Sequence, residues 1–378
     1  MSQSKPNPLK VMMWGTYDLG KPRTRLLLEA IRQSGASLCE VHAPVWDGAE
    51  DKSVLGKSDA LRRGIRWAFA YPGLIWRFLR APRPDVIVVG YLGQLDVLLL
   101  WPFAKMRGVP VVWDAFLSLY DTVVNDRAMV TARHPAAWVL RAWEWLACRS
   151  VHRIVLDTEA HADLFRNFYN VTSDKVTSAF VGAEASAFPT ATPRAQSSRS
   201  TVLFYGQFIP LHGIATIINA AKLAGDKPID WVVIGTGQQE KDIAAMLEHD
   251  APKSLMWEKW VPYEDLAQRI ADADVCLGVF GTSEKAGRVI PNKVFQILSA
   301  GRPLVTRDGP GIRELISDGV PGVELIPPAD PKALVVAVER LLAAPQGESE
   351  LHTDLRKRFA VKALAGRWDK ILRDAIVR

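Results

Sequence analysis

The sequence predicts an α/β protein built from two Rossmann-like, doubly wound domains that face a cleft. The chain has 378 residues, which is too long for one ordinary core. Short apolar runs alternate with helical patterns in both halves. Between them, residues 188–200 are rich in Pro, Ser, Thr and Ala without an apolar period, which indicates a linker. We therefore expect domains over 1–187 and 201–350, and a basic helix over 351–378 that crosses back to the first domain.

The composition is that of a soluble globular protein, with 48% hydrophobic and 23% charged residues. The net charge of +6 could favour a phosphorylated substrate or an anionic membrane surface, but it is too small to argue for nucleic-acid binding. The three cysteines show no CxxC spacing, residues 1–10 do not resemble a signal peptide, and no apolar run is long enough to span a bilayer. We expect a cytoplasmic protein that binds no nucleic acid.

The first half begins with a strand, a glycine loop and a helix. The apolar run 11–14 is followed by Gly15, Thr16 and Tyr17, and then by a helical pattern. This order places the loop where phosphates bind in doubly wound folds. No GxGxxG is present, so a tight turn near the top of a sheet explains Gly15 equally well.

Six strand-like runs separated by helices predict a parallel sheet in this half: 11–14, 38–42, 85–90, 110–114, 153–157 and 175–180. Ligands bind beyond the carboxyl ends of such strands, where Asp114 falls. A single Asp after a strand is more often a turn or capping residue than a catalytic group, so a structural role is the leading alternative for Asp114.

A basic, aromatic-rich stretch over residues 57–84 departs from this alternation. It holds seven basic residues and one acidic residue, with aromatic side chains interleaved. An amphipathic stretch of this kind, with an expected break at Pro72–Gly73, is typical of segments that lie on anionic lipid. An ordinary surface helix with solvated arginines fits equally well, and we keep both interpretations.

The second half repeats the alternation with six more strand-like runs: 201–205, 230–234, 256–261, 275–279, 303–306 and 322–326. Before the fifth run, Pro291 suits the first position of a helix and Gly301 its left-handed end. The preceding loop brings Gly287, Arg288 and the free N–H groups of the helix start to one point, with Lys293 in the first turn. Backbone donors, a helix dipole and two cations predict a site for a phosphorylated ligand.

Four segments carry a family resemblance: FYGQFIPLHGIATIINAA (204–221), VIGTGQQ (233–239), WVPYEDL (260–266) and RVIPNKVFQILSAGRPLVT (288–306). In this order and spacing they resemble the family 4 glycosyltransferases, and the RVIPNK pattern resembles one sub-branch. The first half is similar through the Gly15 loop and residues 109–121 and 156–165. The resemblance implies the two-domain GT-B fold and sugar transfer from a nucleotide-sugar with retention of anomeric configuration. The first domain then serves the acceptor and the second binds the nucleotide-sugar.

The resemblance also implies which residues bind the donor. In the first domain they are the Gly15, Thr16 and Tyr17 loop. In the second domain, the diphosphate would face Gly206, Gln207 and His212. The nucleotide would lie against Gly235, Gly237, Trp260 and Val261. The sugar or ribose would face Glu284 and Gln296.

Gln207 and His212 stand where the family usually has Arg and Lys. Loss of two cations would weaken binding of the diphosphate and stabilisation of the leaving group. We expect Arg288 and Lys293 to replace that charge as catalytic residues, and Asp114 to orient sugar or acceptor hydroxyls.

The family's paired glutamates, seven residues apart, are not cleanly present. Counting from Glu284 puts the second at Asn292, whereas counting back from the helix end puts the pair at Arg288 and Gln296. Gln296 can hydrogen-bond ribose hydroxyls because an amide both donates and accepts. The sugar-facing role of Glu284 stays open.

The implied chemistry is front-face attack, in which the departing diphosphate assists deprotonation of the acceptor. We expect a UDP- or GDP-linked rather than an ADP-linked sugar as co-substrate, and no separate cofactor. Asp272-Ala273-Asp274 has the form of a DxD metal motif, but it ends a helix before a buried strand. A structural role is therefore expected, and no metal.

The expected acceptor is a lipid-linked saccharide or glycolipid at the cytoplasmic membrane face, which residues 57–84 would contact. One alternative is a catalytically silent protein that binds sugar nucleotides or scaffolds a partner glycosyltransferase, since the usual Arg, Lys and Glu positions are lost. An NAD-dependent oxidoreductase needs GxGxxG with a ribose-binding acid about 20 residues on, and neither half has that set.

Overall fold

The computed structural model describes residues 8–46, 57–190, 198–344 and 351–377, without the side chains of 57–63 and 65. Its contacts divide the chain into two compact units. The first unit comprises residues up to Tyr120, Thr131–Val181 and the chain from Val361 on. The second comprises Asp121–Val130 and Gly182–Ala360. Each unit is an α/β domain, so the predicted class is confirmed.

The first unit contains six parallel strands in the order β2-β1-β3-β4-β5-β6. All six predicted strands are present, and the central ones are buried on both faces, as their continuous apolar runs require. The strands are β1 (Lys10–Gly15), β2 (Ser37–His42), β3 (Val86–Val89), β4 (Val111–Phe116), β5 (Arg153–Leu156) and β6 (Val176–Ser178).

Helices cover both faces of this sheet. One face is covered by α2 (Lys57–Arg80), α3 (Gln94–Arg107), α4 (Pro135–Arg149) and α5 (Glu159–Phe168). The other face is covered by α1 (Pro22–Gln33) and α14 (Val361–Ile376), which pack against each other and against the sheet.

The expected break at Pro72–Gly73 is wrong, because α2 runs through both residues. A proline inside a helix removes one hydrogen bond and crowds the preceding turn. Pro72 and Gly73 face solvent, whereas Tyr71, Leu74 and Phe78 are buried in the core. We infer that burial of this apolar face outweighs the local cost of the proline.

The second unit holds another six parallel strands, in the order β12-β11-β10-β7-β8-β9. All six predicted strands are again present. They are β7 (Ser200–Tyr205), β8 (Ile229–Ile234), β9 (Leu255–Glu258), β10 (Val275–Leu277), β11 (Leu304–Arg307) and β12 (Val323–Ile326).

The helices of the second unit are α6 (Ile214–Ala224), α7 (Glu240–His249), α8 (Tyr263–Asp272), α9 (Glu284–Arg288), α10 (Asn292–Ser299), α11 (Pro310–Arg313), α12 (Pro331–Ala343) and α13 (Thr353–Phe359). A π-helical turn (Asp121–Asp126) and a 3₁₀ turn (Pro210–His212) complete the unit.

Around α10, the structure differs from the sequence expectations in two details and agrees with them in a third. The loop expected before α10 contains the short helix α9. Pro291 is not the first helical residue but the extended residue that precedes it, with ψ 148°. Gly301 follows α10 in the left-handed region at φ +67°, as predicted from its position at the helix end.

The contact division differs from the expected domain limits in three places. Asp121–Val130 and residues 182–187, expected within the first domain, group with the second unit. Of the C-terminal segment expected over 351–378, the part up to Ala360 groups with the second unit and the chain from Val361 on with the first. Residues 191–197 of the expected linker lie outside the described residues. Among the described helices, none is both long and apolar enough to cross a bilayer.

Candidate active site

Two glycine loops meet at the carboxyl ends of β7 and β8 in the second unit. Gly206 follows β7 with φ +139°, and Gly235 follows β8 with φ +148°. A Cβ atom on Gly235 would lie 1.9 Å from the carbonyl oxygen of Gly206, so only glycine fits. Gly237, at φ +149°, packs in the same way on the backbone of Phe208. The loops therefore present backbone rather than side chains at the ligand-binding edge of the sheet.

Lys293 lies in the first turn of α10 and points at the Gly206 loop. A Cβ atom on Gly206 would lie 2.9 Å from Lys293 Nζ. The side chain is buried, and within the described part of the chain its ammonium has no hydrogen-bond partner. It rests 3.7 Å from the centre of the Phe204 ring. Burial holds the pKa of Lys293 well below its usual value. A bound anion would supply the missing counter-charge.

His212 lies beside this lysine. Its Nδ1 contacts the carbonyl oxygen of Gln207, and its ring packs edge-on against Phe204. Burial and then the charge of Lys293 hold the pKa of His212 well below its usual value. His212 is therefore neutral near pH 7, with Nδ1–H donating to Gln207 and Nε2 left as an acceptor. It does not supply the cation that the family usually has at this position.

Arg127 brings a second cation to the same loop, and the sequence did not reveal it. It follows the π-helical turn, and its Nη2 donates to Oε1 of Gln207 at 3.4 Å. Its carbonyl oxygen accepts a hydrogen bond of 2.8 Å from Gln238, which follows Gly237. Among the described residues, its buried Nε has no hydrogen-bond partner. Its charge also contributes to the lowered pKa of His212, which places it within electrostatic reach of that ring.

No sequence spacing points to Arg127, since it lies 80 residues before Gln207. The segment that carries it is anchored on α9. Ser283 donates to Asp126 at 2.8 Å, and Lys285 donates to Thr122 at 2.7 Å. Burial raises the pKa of Asp126 against the opposing effect of Lys285. These contacts fix the position of Arg127 in the second unit.

Arg288, predicted to bind the leaving phosphates, is held by two carboxylates. It donates to both oxygens of Asp121 at 3.0 and 3.1 Å, and to Glu284 at 2.7 Å. Burial works to lower the pKa of Arg288, but the hydrogen bond to Glu284 and the charge of Asp121 outweigh it, and the pKa is raised. The carboxylates already match its charge. The phosphate role of Arg288 and the sugar role of Glu284 stay predictions.

The remaining predicted donor residues of the second unit surround α10 and the end of β9. Gln296 is buried, and its Oε1 accepts a 3.0 Å hydrogen bond from Tyr205, which leaves its amide N–H groups as donors. Trp260 is 67% exposed and Val261 is half-buried, both in the loop before α8. Their predicted contacts with ribose and base stay predictions.

In the first unit, the Gly15 loop is tied to a buried aspartate. Asp96 accepts hydrogen bonds from the backbone nitrogen of Thr16 at 2.8 Å and from its hydroxyl at 3.0 Å, and from Tyr71 at 2.6 Å. A Cβ atom on Gly15 would lie 2.3 Å from Asp96 Oδ2. Burial raises the pKa of Asp96 despite these bonds. The loop is thus bonded to Asp96, and the N–H of Thr16 is already in use.

Two other predicted residues of the first unit are buried in structural contacts. Tyr17 donates to Glu40 at 3.0 Å and stacks on His42. Asp114 accepts from Nη2 of Arg23 at 2.6 Å and from its Nε at 3.1 Å. Both oxygens of Asp114 bond Arg23, and the catalytic role of Asp114 stays a prediction.

The DxD-like pair has backbone and side-chain partners of its own. Asp274 accepts from the backbone nitrogen of Thr201 at 2.7 Å, and Asp272 accepts from Gln268 at 3.0 Å. Among the described residues, no group of three or more His, Cys, Asp or Glu could hold a metal ion.

Family models match both units. Residues 22–178 match the model of a "Glycosyl transferase 4-like domain", and residues 199–344 match "Glycosyl transferases group 1". Among curated proteins, none matches the sequence.

Solved structures share the fold across nearly the whole chain. Sucrose-phosphate synthase from Thermosynechococcus elongatus is 14% identical, with a TM-score of 0.70 over 98% of this chain and 99% of its own. HepE of Anabaena, solved in complex with UDP, is 12% identical, with a TM-score of 0.67 over 97% of this chain and 100% of its own. The lipopolysaccharide outer core galactosyltransferase WaaB is 12% identical, with a TM-score of 0.63 over 97% and 99%. At such identities the likeness shows a shared fold, two Rossmann-like domains of the GT-B type.

Proposed function

The protein is a glycosyltransferase with 4-like and group 1 domains, and from this premise we propose that it moves a hexose from a UDP-sugar to a saccharide hydroxyl with retention of configuration. The observation that carries the proposal is the buried ammonium of Lys293, which lies against the Gly206 loop and has no hydrogen-bond partner among the residues that the structure describes. A buried cation without a partner is costly, and a diphosphate at that loop would remove the cost.

Lys293 and Arg127 together supply the charge that the departing nucleoside diphosphate needs. The bond between the anomeric carbon and the β-phosphate oxygen breaks, and its electron pair leaves with the phosphate. The acceptor hydroxyl attacks from the same face, and its proton passes to the departing phosphate oxygen. Two fixed cations at the leaving group lower the barrier because they stabilise charge that develops in the transition state.

This assignment replaces the expected pairing of Lys293 with Arg288. Arg127 contacts the neutral side chain of Gln207, whereas Arg288 is matched by the carboxylates of Asp121 and Glu284. We propose that Arg288 holds the Asp121–Asp126 turn against α9 and so positions Arg127. Since two side-chain cations meet the diphosphate, we propose no metal in this step. Loss of activity on chelation, with recovery on adding Mg²⁺ or Mn²⁺, would contradict this.

Support for uridine as the base comes from the fold relatives solved with UDP and with UDP-glucose. We propose that the nucleoside lies along the loops of Gly235 and Gly237, with Trp260 and Val261 at the base and Gln296 at the ribose. The acceptor, we propose, is a saccharide carried on lipid, reached from the cytoplasmic side of a membrane that residues 57–84 contact.

Thermal unfolding with UDP, GDP and ADP tests the nucleotide and the site together. UDP should raise the Tm of the wild type most, since a ligand of the native state stabilises in proportion to its occupancy. Lys293→Met and Arg127→Met should each weaken UDP binding by about 10- to 100-fold, as expected for a lost charged hydrogen bond. The exposed Lys241, changed to Met, is the matched control and should keep the full shift.

The alternative function is a catalytically silent protein that binds sugar nucleotides, and the neutral side chains at Gln207 and His212 favour it. A turnover assay separates this alternative from a transferase. Release of UDP from UDP-hexoses is followed with simple saccharide acceptors. Transfer or slow hydrolysis of one donor supports catalysis. UDP binding without any release from any hexose donor would favour the silent binder, and no UDP binding would refute the proposed site.

A further inference from the structure

Three neighbouring helices of the first unit carry most of its exposed apolar surface. Nineteen large apolar side chains are exposed among the described residues, and ten of them lie on α2, α3 and α4. These helices lie side by side on one face of the sheet. The ten are Phe69, Trp76, Leu79, Leu99, Trp101, Met106, Trp138, Val139, Trp145 and Leu146. We call this surface the three-helix face.

The charge on the three-helix face has one sign. Where the structure describes side chains on α2, α3 and α4, the exposed charged ones are all basic: Arg66, Arg77, Arg80, Lys105, Arg141 and Arg149. The carboxylates described there, Asp96 and Glu144, are 1% and 0% exposed and bonded inside the unit. An apolar surface with only positive charge at its border is complementary to an anionic one.

Each helix carries the same pair of residues in its last turns, a tryptophan followed four positions later by a cation. Arg80 lies 4.3 Å from the ring centre of Trp76, and Arg149 lies 3.6 Å from that of Trp145. Lys105 lies 5.5 Å from that of Trp101. The three helices lead into the adjacent strands β3, β4 and β5, so the pairs line up along the amino edge of the sheet.

A pocket of about 460 Å³ opens at this edge between the ends of α3 and α4. Trp101, Lys105, Arg149 and His152 are among the residues that line it. Its size and its two cations suit the phosphate of a lipid headgroup, and the tryptophans beside it have the amphipathic rings that favour a membrane interface.

We propose that the three-helix face binds the surface of an anionic phospholipid bilayer, with headgroup phosphates at Lys105 and Arg149 and the exposed tryptophans in the interface. A second copy of the chain is a poorer occupant, since pairing this face with itself would oppose like charges. This inference deepens the proposed function, because it extends the membrane contact of residues 57–84 across α3 and α4. It does not depend on sugar transfer.

Flotation with vesicles, without donor or acceptor, tests the face directly. The wild type should float with vesicles that contain phosphatidylglycerol, and it should stay in the bottom fraction with vesicles of pure phosphatidylcholine. Changing Arg80, Lys105 and Arg149 to Gln should lower the partition coefficient on the order of 100-fold, from the usual contribution of each basic residue near an anionic surface. Changing the exposed Lys241, Lys253 and Lys332 of the second unit to Gln removes the same charge and should leave flotation unchanged.

A second variant tests the contribution of the exposed tryptophans on the three-helix face. Trp76, Trp101 and Trp138 changed to Ser should also reduce flotation, while UDP still raises the Tm of every variant. The proposal would be overturned if the three-helix-face variant and the second-unit control variant floated equally well. It would also be overturned if the wild type did not float. A concentration-dependent dimer that the Trp variant abolishes would assign the face to a second copy instead. The UDP shift reports the donor site separately, so failure of one idea is not mistaken for failure of the other.

Discussion

At the scale of single residues, Lys293 has surroundings that do not suit its charge. Its ammonium is buried, faces an aromatic ring and has no hydrogen-bond partner among the described residues. Such a group is retained at a cost to folding, which argues for a role in binding. The sequence predicted Lys293 from its place in the first turn of a helix, but only the structure shows that the ammonium finds no hydrogen-bond partner in the described part of the chain.

UDP affinity should depend on pH through this residue. Burial lowers the pKa of free Lys293, and a bound diphosphate raises it because the anion favours the ammonium. Binding should therefore take up a proton at pH values above the lowered pKa, and Kd should rise as the pH increases through that window. Calorimetry in buffers of different ionisation enthalpy measures the uptake. Equal proton uptake by Lys293→Met would contradict the assignment.

Arg23 and Asp114 form a buried pair whose role should appear in stability. Arg23 also donates to the carbonyl oxygens of Ala179 at 2.6 Å and Phe180 at 3.0 Å. Asp114→Asn or Arg23→Met should lower the free energy of unfolding by about 3–5 kcal/mol, because each leaves a buried charge unmatched. Urea denaturation measures this. A variant with normal stability but no transferase activity would instead restore the predicted catalytic role of Asp114.

At the scale of elements, the glycine loops and the helices respond in opposite ways to an added methyl group. Gly235 has positive φ and no room for Cβ, so Gly235→Ala should destabilise the fold and abolish the UDP shift. Gly366 is exposed inside α14, and a Cβ atom there would meet no neighbouring atom within 4 Å outside the helix's own backbone. Gly366→Ala should raise the free energy of unfolding by about 0.5–1 kcal/mol. Urea unfolding of the two variants measures both effects. A free energy of unfolding in Gly235→Ala equal to that of the wild type would contradict the close packing at Gly235.

The elements themselves were predictable because their signals are local. Short apolar runs mark the twelve strands, and the glycines that follow β7 and β8 mark the ends that face ligands. The continuity of α2 through Pro72 was not predictable, since burial of Tyr71, Leu74 and Phe78 on the sheet decides it. Tertiary packing overrode local propensity there.

For the whole molecule, the division of the chain was harder to foresee than its fold. The segment Asp121–Val130 joins the second unit through contacts across long sequence separations, such as Arg288 with Asp121 at 167 residues. No periodicity reports contacts of that range. For this reason the sequence suggested Arg288 as the partner of Lys293, whereas we propose Arg127, whose place depends on the fold of the whole unit.

In the proposed complex, Lys293 and Arg127 hold the diphosphate of a uridine nucleotide. Calorimetric titration of UDP and of uridine, which lacks phosphate, isolates their contribution as the ratio of the two affinities. We expect wild type to prefer UDP by about 100-fold or more, the value of two charged hydrogen bonds. In the variant with both Lys293 and Arg127 changed to Met, that ratio should fall close to one while uridine binding is kept. An unchanged ratio would contradict the account.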